Sequence, residues 1–213
     1  MRAISSRNAP PADSHPVVYI VDDDDGMRGS MEALFRSVAR AVEAFASARE
    51  FLSAYATGRP GCLIADVRMP DMSGIELYAE MQRRSIDLPV IFVTGYGDVD
   101  TAVGAMKAGA IDFIVKPFKA QELLDRAQRA IDRSVELSRR RDEDAVAGER
   151  LARLTARERQ VLDLIVAGES SKHIAHRLDL SLRTIEFHRA NIMSKLEARS
   201  VADLVKMAIG RGT

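Results

Sequence analysis

Acidic, hydroxyl and basic residues follow four short apolar segments of this sequence. The segments and the residues after them are Val17–Val21 with Asp22–Asp25, Cys62–Ala65 with Asp66, Val90–Val93 with Thr94, and Ile111–Val115 with Lys116-Pro117. A carboxylate can attack phosphorus to give an acyl phosphate, and grouped carboxylates bind Mg²⁺ together with water and phosphate oxygens. A lysine and a threonine can hold the remaining phosphoryl oxygens. Brought together, these side chains suit the transfer of a phosphoryl group to a carboxylate.

The first 130 residues alternate apolar segments with helical patterns. A fifth, weaker apolar segment lies at 42–45, and the helical patterns cover about 27–39, 48–56, 74–84, 99–108 and 121–134. Continuous apolar strands between helices are typical of a parallel sheet that is covered on both faces. We therefore predict an α/β fold, a five-stranded doubly wound domain of the flavodoxin-like kind. Parallel strands end at one edge of such a sheet, where ligands bind, so the polar residues are expected to meet there.

Each polar residue also has a purely structural explanation. Asp24 or Asp25 could cap the following helix, and Asp66 could begin a turn with Met69-Pro70-Asp71. Thr94 could belong to an ordinary loop, and Lys116-Pro117 could end a strand, with a cis bond between them. Four such coincidences at four strand ends are improbable, which favours a functional site.

Composition sets limits on the class of protein. The chain has 213 residues, and its net charge of zero divides into −3 over residues 1–130, −1 over residues 131–150 and +4 over residues 151–213, which indicates two domains with different partners. There is no apolar run of about 18 residues, so no membrane helix is predicted. Residues 1–15 have no signal-peptide pattern and are predicted to be a flexible leader. Cys62, the single cysteine, lies in an apolar run, which predicts a core residue in a cytoplasmic protein.

From residue 151 onward the pattern is helical. Thr155 and Glu158 have the spacing of a capping box, which begins a helix that ends near Gly168. Further helices are predicted over 171–178, over 181–196 and around Val201, Leu204, Val205 and Ala208. Residues 136–150 carry many charges of both signs and are predicted to be a linker that is helical at its start.

The predicted helix that ends at Leu196 has two different faces. The core-facing positions are Leu182, Ile185, Ile192 and Leu196. The opposite face holds Arg183 and Phe187, flanked by Thr184, Glu186 and Asn191. A short helix, a tight turn and a second helix with a polar outer face are typical of a helix-turn-helix, whose second helix enters the major groove of DNA. Helix geometry alone leaves a four-helix bundle that binds protein as an alternative.

Individual side chains suit particular DNA contacts. Glu186 could accept a hydrogen bond from a cytosine amino group, and Phe187 could touch a thymine methyl. The candidates for phosphate contacts are Lys172, Arg183, His188 and Lys195.

Residues 16–135 resemble the receiver domain of two-component response regulators. The resemblance rests on Val21-Asp-Asp-Asp24, Asp66-Val-Arg-Met-Pro70, Val93-Thr-Gly95 and Lys116-Pro-Phe118. It implies that Asp66 accepts a phosphoryl group from a phosphohistidine on a sensor histidine kinase. It also implies Mg²⁺ bound by Asp23, Asp66 and the backbone carbonyl of Arg68, with Asp22 assisting. Three more residues would hold the phosphoryl group or switch the fold: Thr94, Phe113 and Lys116.

Residues 151–208 resemble the LuxR/FixJ-type helix-turn-helix. The resemblance rests on Leu154-Thr-Ala-Arg-Glu158, Thr184-Ile-Glu-Phe-His188 and Lys195-Leu196. In the receiver part, the segments from Gly95 to Asp98 and from Met106 to Phe113 resemble the FixJ branch in particular. The helix-turn-helix resemblance implies promoter binding by residues 151–213, dimerisation through the last helix, and RNA polymerase as a partner. Ser171 departs from the asparagine that is common in the family.

The expected function is that of a response regulator and DNA-binding transcription factor, an activator rather than a repressor. One alternative is a phosphatase of the haloacid-dehalogenase type, which also uses an aspartate nucleophile. Such enzymes need a second aspartate two residues after the first, and that position here is Arg68, so we predict that the protein is not an enzyme. The other alternative is a receiver that is never phosphorylated and only dimerises.

Overall fold

Five parallel strands form a single sheet in the N-terminal part of the chain. The structure is a computed structural model that describes residues 15–56, 58–95, 104, 109 and 112–209. The strands are β1 (Val17–Val21), β2 (Ala41–Phe45), β3 (Gly61–Asp66), β4 (Val90–Thr94) and β5 (Asp112–Val115). Their order is β2-β1-β3-β4-β5, which is the flavodoxin-like order and confirms the predicted fold class.

Within the described residues, four helices accompany the strands. They are α1 (Asp25–Ser37), α2 (Ala48–Ala54), α3 (Gly74–Arg83) and α4 (Ala120–Ala152). The predicted helix at 99–108 and nearly all of the predicted leader lie outside the described residues.

Both faces of the sheet are buried, because apolar residues occupy successive positions of the central strands. All five residues of β1 are buried, and its alternate side chains enter two separate hydrophobic clusters. Val17 and Val21 pack in the cluster of α2 and α3, whereas Val18 and Ile20 pack in that of α1 and α4. Cys62 is fully buried in the second cluster, and burial raises the pKa of its thiol to about 12. It is a core residue, as predicted.

Helices α1 and α3 begin at polar caps. The carboxylate of Asp24 accepts a hydrogen bond from the Met27 amide at 2.8 Å, so Asp24 is the N-cap of α1. Ser73 and Glu76 form a reciprocal capping box at the start of α3. These caps fix the points at which the chain leaves the carboxyl ends of β1 and β3.

We expect Asp24→Ala to lower the urea concentration at which this unit unfolds, because the Met27 amide loses its acceptor. Urea denaturation followed by tyrosine fluorescence measures the loss, since the chain has no tryptophan and all four tyrosines precede residue 139. Asp24→Ser keeps an acceptor and is the matched control. An equal loss in both variants would exclude the cap as its source.

Helix α4 is much longer than the predicted helix, because residues 136–150 are helical throughout rather than only at their start. Pairs of opposite charge four residues apart stabilise the exposed surface of this helix, such as Arg126 with Glu122 in the part that packs on the sheet and Arg139 with Glu143 further along. The chain divides into two compact units, Met1–Ser138 and Arg139–Thr213, so the division falls inside α4. The proposed domain limits of 16–135, 136–150 and 151–213 stay predictions.

Four further helices belong to the second unit: α5 (Ala156–Val166), α6 (Ser171–Leu178), α7 (Leu182–Leu196) and α8 (Val201–Ile209). Thr155 and Glu158 form the predicted capping box of α5. Ile185, Ile192 and Leu196 are fully buried in one cluster with residues of α5 and α6.

Leu182 was predicted to face this core, and that prediction is wrong. Its side chain is 39% exposed and lies outside the cluster. Leu182 is the first residue after the N-cap Ser181, so it stands at the very end of α7, and the buried face begins one turn later at Ile185.

Among the described helices, none has the length and apolar character that a bilayer crossing requires.

Candidate functional sites

Three carboxylates meet at the carboxyl ends of β1 and β3. Ligand oxygens of Asp22, Asp23 and Asp66 all lie within 4.8 Å of one another. The pairing of β1 with β3 places Val21 beside Ala65, so the residues that follow each strand are neighbours. Gly74 lets α3 approach this edge, because a Cβ there would lie 2.3 Å from the backbone oxygen of Asp66.

Lys116 brings a positive charge to the carboxylates from the end of β5. Its ammonium lies 2.7 Å from Oδ2 of Asp66 and 3.3 Å from Oδ2 of Asp22. Burial disfavours the charged ammonium, but the hydrogen bond and charge of Asp66, together with Asp22, outweigh that effect and raise the pKa of Lys116. The Lys116-Pro117 peptide bond is cis.

Asp22 is the buried member of the acidic group. Its side chain is fully buried, and burial raises its pKa, although the Asp24 amide and Lys116 act in the opposite direction. The charge of Asp66 raises it further. A divalent cation between the carboxylates would relieve both the burial of charge and the repulsion, so the donor set fits Mg²⁺, which prefers carboxylate oxygens.

The remaining predicted residues of this site lie close by. Thr94 is fully buried at the end of β4, and its hydroxyl donates to the Gly95 carbonyl at 3.2 Å. The Arg68 amide donates to Oδ1 of Asp66 at 3.2 Å. Phe113 is half-buried on β5 beside Phe92 and packs against the cluster of α2 and α3.

One residue near this site was missed in the sequence. The guanidinium of Arg28 donates to the backbone carbonyl of Asp22 at 2.7 Å and pairs with Asp25. It therefore holds the loop that carries Asp22 and Asp23. An arginine one turn after an aspartate-rich loop was the available signal.

Helix α7 presents a polar surface around an exposed aromatic ring. Phe187 is 63% exposed, and Arg183 and Glu186 are also exposed. Thr184, His188 and Asn191 are half-buried, whereas Lys172 on α6 is exposed. A two-residue turn, Asp179-Leu180, separates α6 from the N-cap Ser181, which gives the helix-turn-helix arrangement.

Lys195, another predicted phosphate contact, has a partner inside the protein. Its ammonium lies 2.6 Å from Oε2 of Glu158, whose side chain is only 4% exposed. The hydrogen bond from Lys195, joined by those from Thr155, lowers the pKa of Glu158 against the effect of burial. The pair joins the last turn of α7 to the first turn of α5.

The two units define a class of protein: a receiver-type α/β domain joined in one chain to a DNA-binding helix-turn-helix. Family models agree with this assignment. Residues 18–128 match the response regulator receiver domain, and residues 152–208 match the bacterial regulatory proteins of the luxR family.

Similar proteins cover nearly the whole chain. The transcriptional regulatory protein FixJ of Azorhizobium caulinodans is 44% identical over 92% of both chains, and the FixJ protein of Rhizobium meliloti is 44% identical over 92% of this chain and 96% of its own. The solved structure of the response regulator StyR is 41% identical, covers 91% of this chain and 98% of its own, and has a TM-score of 0.82. Full-length FixJ from B. japonicum is 41% identical, covers 92% of this chain and 97% of its own, and has a TM-score of 0.57. The chain belongs to the FixJ-like response regulators and is a transcription-regulating response regulator.

Proposed function

We propose that Asp66 is the phosphoacceptor and that its phosphorylation controls promoter binding by α7. One observation carries the proposal: the Asp66 carboxylate lies 2.7 Å from the Lys116 ammonium and shares a cation-sized space with Asp22 and Asp23. An Asp66 oxygen forms the new bond to phosphorus while the bond from phosphorus to the donor breaks. For a phosphohistidine of a sensor histidine kinase, the leaving imidazole keeps the electron pair and takes up a proton.

The surrounding residues have separate roles in this step. Asp22, Asp23, Asp66 and the backbone carbonyl of Arg68 would hold Mg²⁺, and the bound cation would supply charge neutralisation at the phosphoryl oxygens. Lys116 turns from Asp66 to a phosphoryl oxygen, and the Thr94 hydroxyl moves from the Gly95 carbonyl to another. Phe113 turns inward behind Thr94 and carries the change to the surface of the domain.

DNA recognition is assigned to α7 and to Lys172. Phe187 and Glu186 read base edges, and Asn191 and Thr184 border them. Arg183, Lys172 and the Nε2 atom of His188 contact phosphates, since the Nδ1 atom of His188 is buried. Lys195 is left out of the contact set, because its ammonium already pairs with Glu158.

The partners follow from this mechanism. The phosphorylated protein forms a homodimer, which places two copies of α7 on a two-fold DNA site. The apolar residues of α8 supply the dimer contact of the DNA-binding unit, where Val201 is 43% exposed. The dimer activates transcription in the cytoplasm through contact with RNA polymerase.

A phosphatase is the rival from a different class of protein. It would need an acid–base carboxylate two residues after Asp66, where Arg68 stands. The site is built to receive a phosphoryl group and keep it rather than to turn over a substrate. Sustained release of phosphate from generic phosphoesters would favour the enzyme instead.

Acetyl phosphate tests the proposed function on the purified chain. We expect incubation with acetyl phosphate and Mg²⁺ to add the mass of one phosphoryl group, and we expect a chelator to prevent the addition, because the carboxylates need the cation to accept an anion. Intact-mass spectrometry measures the product. The same samples are then offered a random pool of DNA duplexes, and the phosphorylated sample should enrich duplexes with two-fold symmetry. A protein that gains no mass would contradict the assignment of Asp66.

A further inference from the structure

The turn between the two helices of the helix-turn-helix is held from outside by an arginine. Helix α6 ends at Leu178, and Asp179 follows in the left-handed conformation with a φ of 52°. The amides of Asp179 and Leu180 donate to the carbonyls of His176 and Ala175. The carbonyl of Leu178 is the last of the helix, and it needs a donor from elsewhere.

Arg157 provides that donor from the first turn of α5. Its Nη2 atom donates to the Leu178 carbonyl at 2.8 Å, and its Nη1 atom donates to the side-chain oxygen of Gln160 at 2.9 Å. Gln160 lies three residues along the same helix, so the second bond fixes the orientation of the guanidinium. Both bonds are part of a planar fork, which a lysine could not reproduce.

The position of Arg157 is electrostatically unfavourable for the helix that carries it, and the contact with the Leu178 carbonyl offsets this disadvantage. A cation in the first turn of a helix opposes the helix dipole, whereas a cation at the last turn is favoured. Arg157 belongs to the first turn of α5, but its guanidinium contacts the C-terminal end of α6. The positive charge of Arg157 therefore interacts favourably with the dipole of α6 and unfavourably with the dipole of α5.

We infer that Arg157 is a positioning residue for DNA recognition, which acts through the Leu178 carbonyl on the turn that leads into α7. Only Asp179 and Leu180 separate that carbonyl from Ser181, the N-cap of α7, so a displaced turn tilts the recognition helix. Arg157 itself contacts no DNA in this assignment. The inference rests on the proposed role of α7 in reading DNA.

The test compares full-length variants on two DNA probes. One probe is a duplex that the phosphorylated wild-type protein selects from a random pool, and the other has the same bases in scrambled order. The test variant is Arg157→Met, with Arg157→Lys as the conservative change. The controls are Arg153→Met, which removes one exposed positive charge four residues away, and Arg183→Met, which removes a proposed phosphate contact.

We expect Arg157→Met to weaken binding to the selected duplex about tenfold, as for the loss of one hydrogen bond to a charged group. Binding to the scrambled duplex should change less than twofold, so the ratio of the two affinities falls. The slope of log K against log salt should stay that of the wild type. Arg157→Lys should recover the affinity only in part, and Arg153→Met should leave the ratio unchanged.

Three results would overturn the inference. A salt slope lower by about 0.9 would show that Arg157 contacts a phosphate directly. A variant that melts at a lower temperature but keeps the wild-type affinity ratio would show a purely structural role. Full recovery by lysine would show that charge alone suffices. If Arg183→Met changes neither affinity nor slope, the proposed phosphate contact of α7 is wrong, and that failure is visible independently of Arg157.

Discussion

The Asp66→Asn variant is expected to gain no phosphoryl group from acetyl phosphate under conditions in which the wild-type protein gains one. The amide has no anionic oxygen to attack phosphorus. The change also removes one of the three carboxylates that are proposed to bind the cation. The ammonium of Lys116 then keeps only the Asp22 carboxylate at 3.3 Å. Intact-mass spectrometry over a time course measures the difference.

Asp71→Asn is a close control for this experiment. Asp71 is exposed in the loop that follows Asp66, and its φ of 64° is a backbone conformation that asparagine tolerates well. The change therefore removes one carboxylate near the site without removing a proposed ligand, and phosphoryl uptake should continue. Uptake by Asp66→Asn at the wild-type rate would mean that a different residue is the nucleophile.

The Asp66→Asn variant also has a large expected effect in cells. Genome-wide mapping of DNA binding should give strong signal-dependent occupancy for the wild-type protein and little for Asp66→Asn, because the proposed dimer forms only after phosphorylation. Signal-dependent promoter activation that persists in Asp66→Asn would contradict the whole mechanism. Occupancy that is equal for both proteins but independent of the signal would support a receiver that is never phosphorylated.

The acidic site could be predicted because it depends on the backbone. Asp22, Asp66, Thr94 and Lys116 each follow an apolar strand, and a parallel sheet necessarily brings strand ends to one edge. No side-chain packing is needed for that inference. The approach of Lys116 to the carboxylates of Asp22 and Asp66 follows from chain topology alone.

Contacts between helices could not be predicted in the same way. The pair of Glu158 with Lys195 joins residues 37 apart, and the contact of Arg157 with Leu178 joins residues 21 apart. Both depend on the angle at which α5 crosses the helix-turn-helix, which no local pattern encodes. Periodicity around α7 predicts its outer face but cannot show that Lys195 pairs with Glu158 inside the domain.

Lys195→Met is expected to destabilise the DNA-binding unit by about 2 kcal/mol at neutral pH. It leaves the carboxylate of Glu158 buried without its cation, and breaking a buried pair from one side costs about 3–5 kcal/mol. We expect less here because Lys195 is 35% exposed and water already screens part of the attraction. Far-ultraviolet circular dichroism follows the loss of helix in both units. Tyrosine fluorescence reports on the receiver alone, so a transition seen only by circular dichroism belongs to the DNA-binding unit.

The pH dependence separates this pair from a packing effect. The pKa of Glu158 is lowered below its ordinary value of 4.5, so its contribution to stability is present above that pH and is lost as the pH falls through the lowered pKa. In Lys195→Met the main cause of the lowering is gone. The difference between wild type and variant should therefore be largest near neutral pH and shrink in acid, once Glu158 is protonated in both proteins.

Two further variants serve as controls for Lys195→Met. Lys206→Met removes an exposed lysine from α8 and should leave stability nearly unchanged. Lys172→Met removes a proposed phosphate contact and should lower the salt slope of DNA binding by about 0.9 at unchanged stability. Lys195→Met should do the reverse, losing stability while the slope at low temperature is kept. A Lys195→Met protein with wild-type stability and a lower slope would restore this residue to the DNA contacts, because its ammonium would then serve a phosphate rather than Glu158.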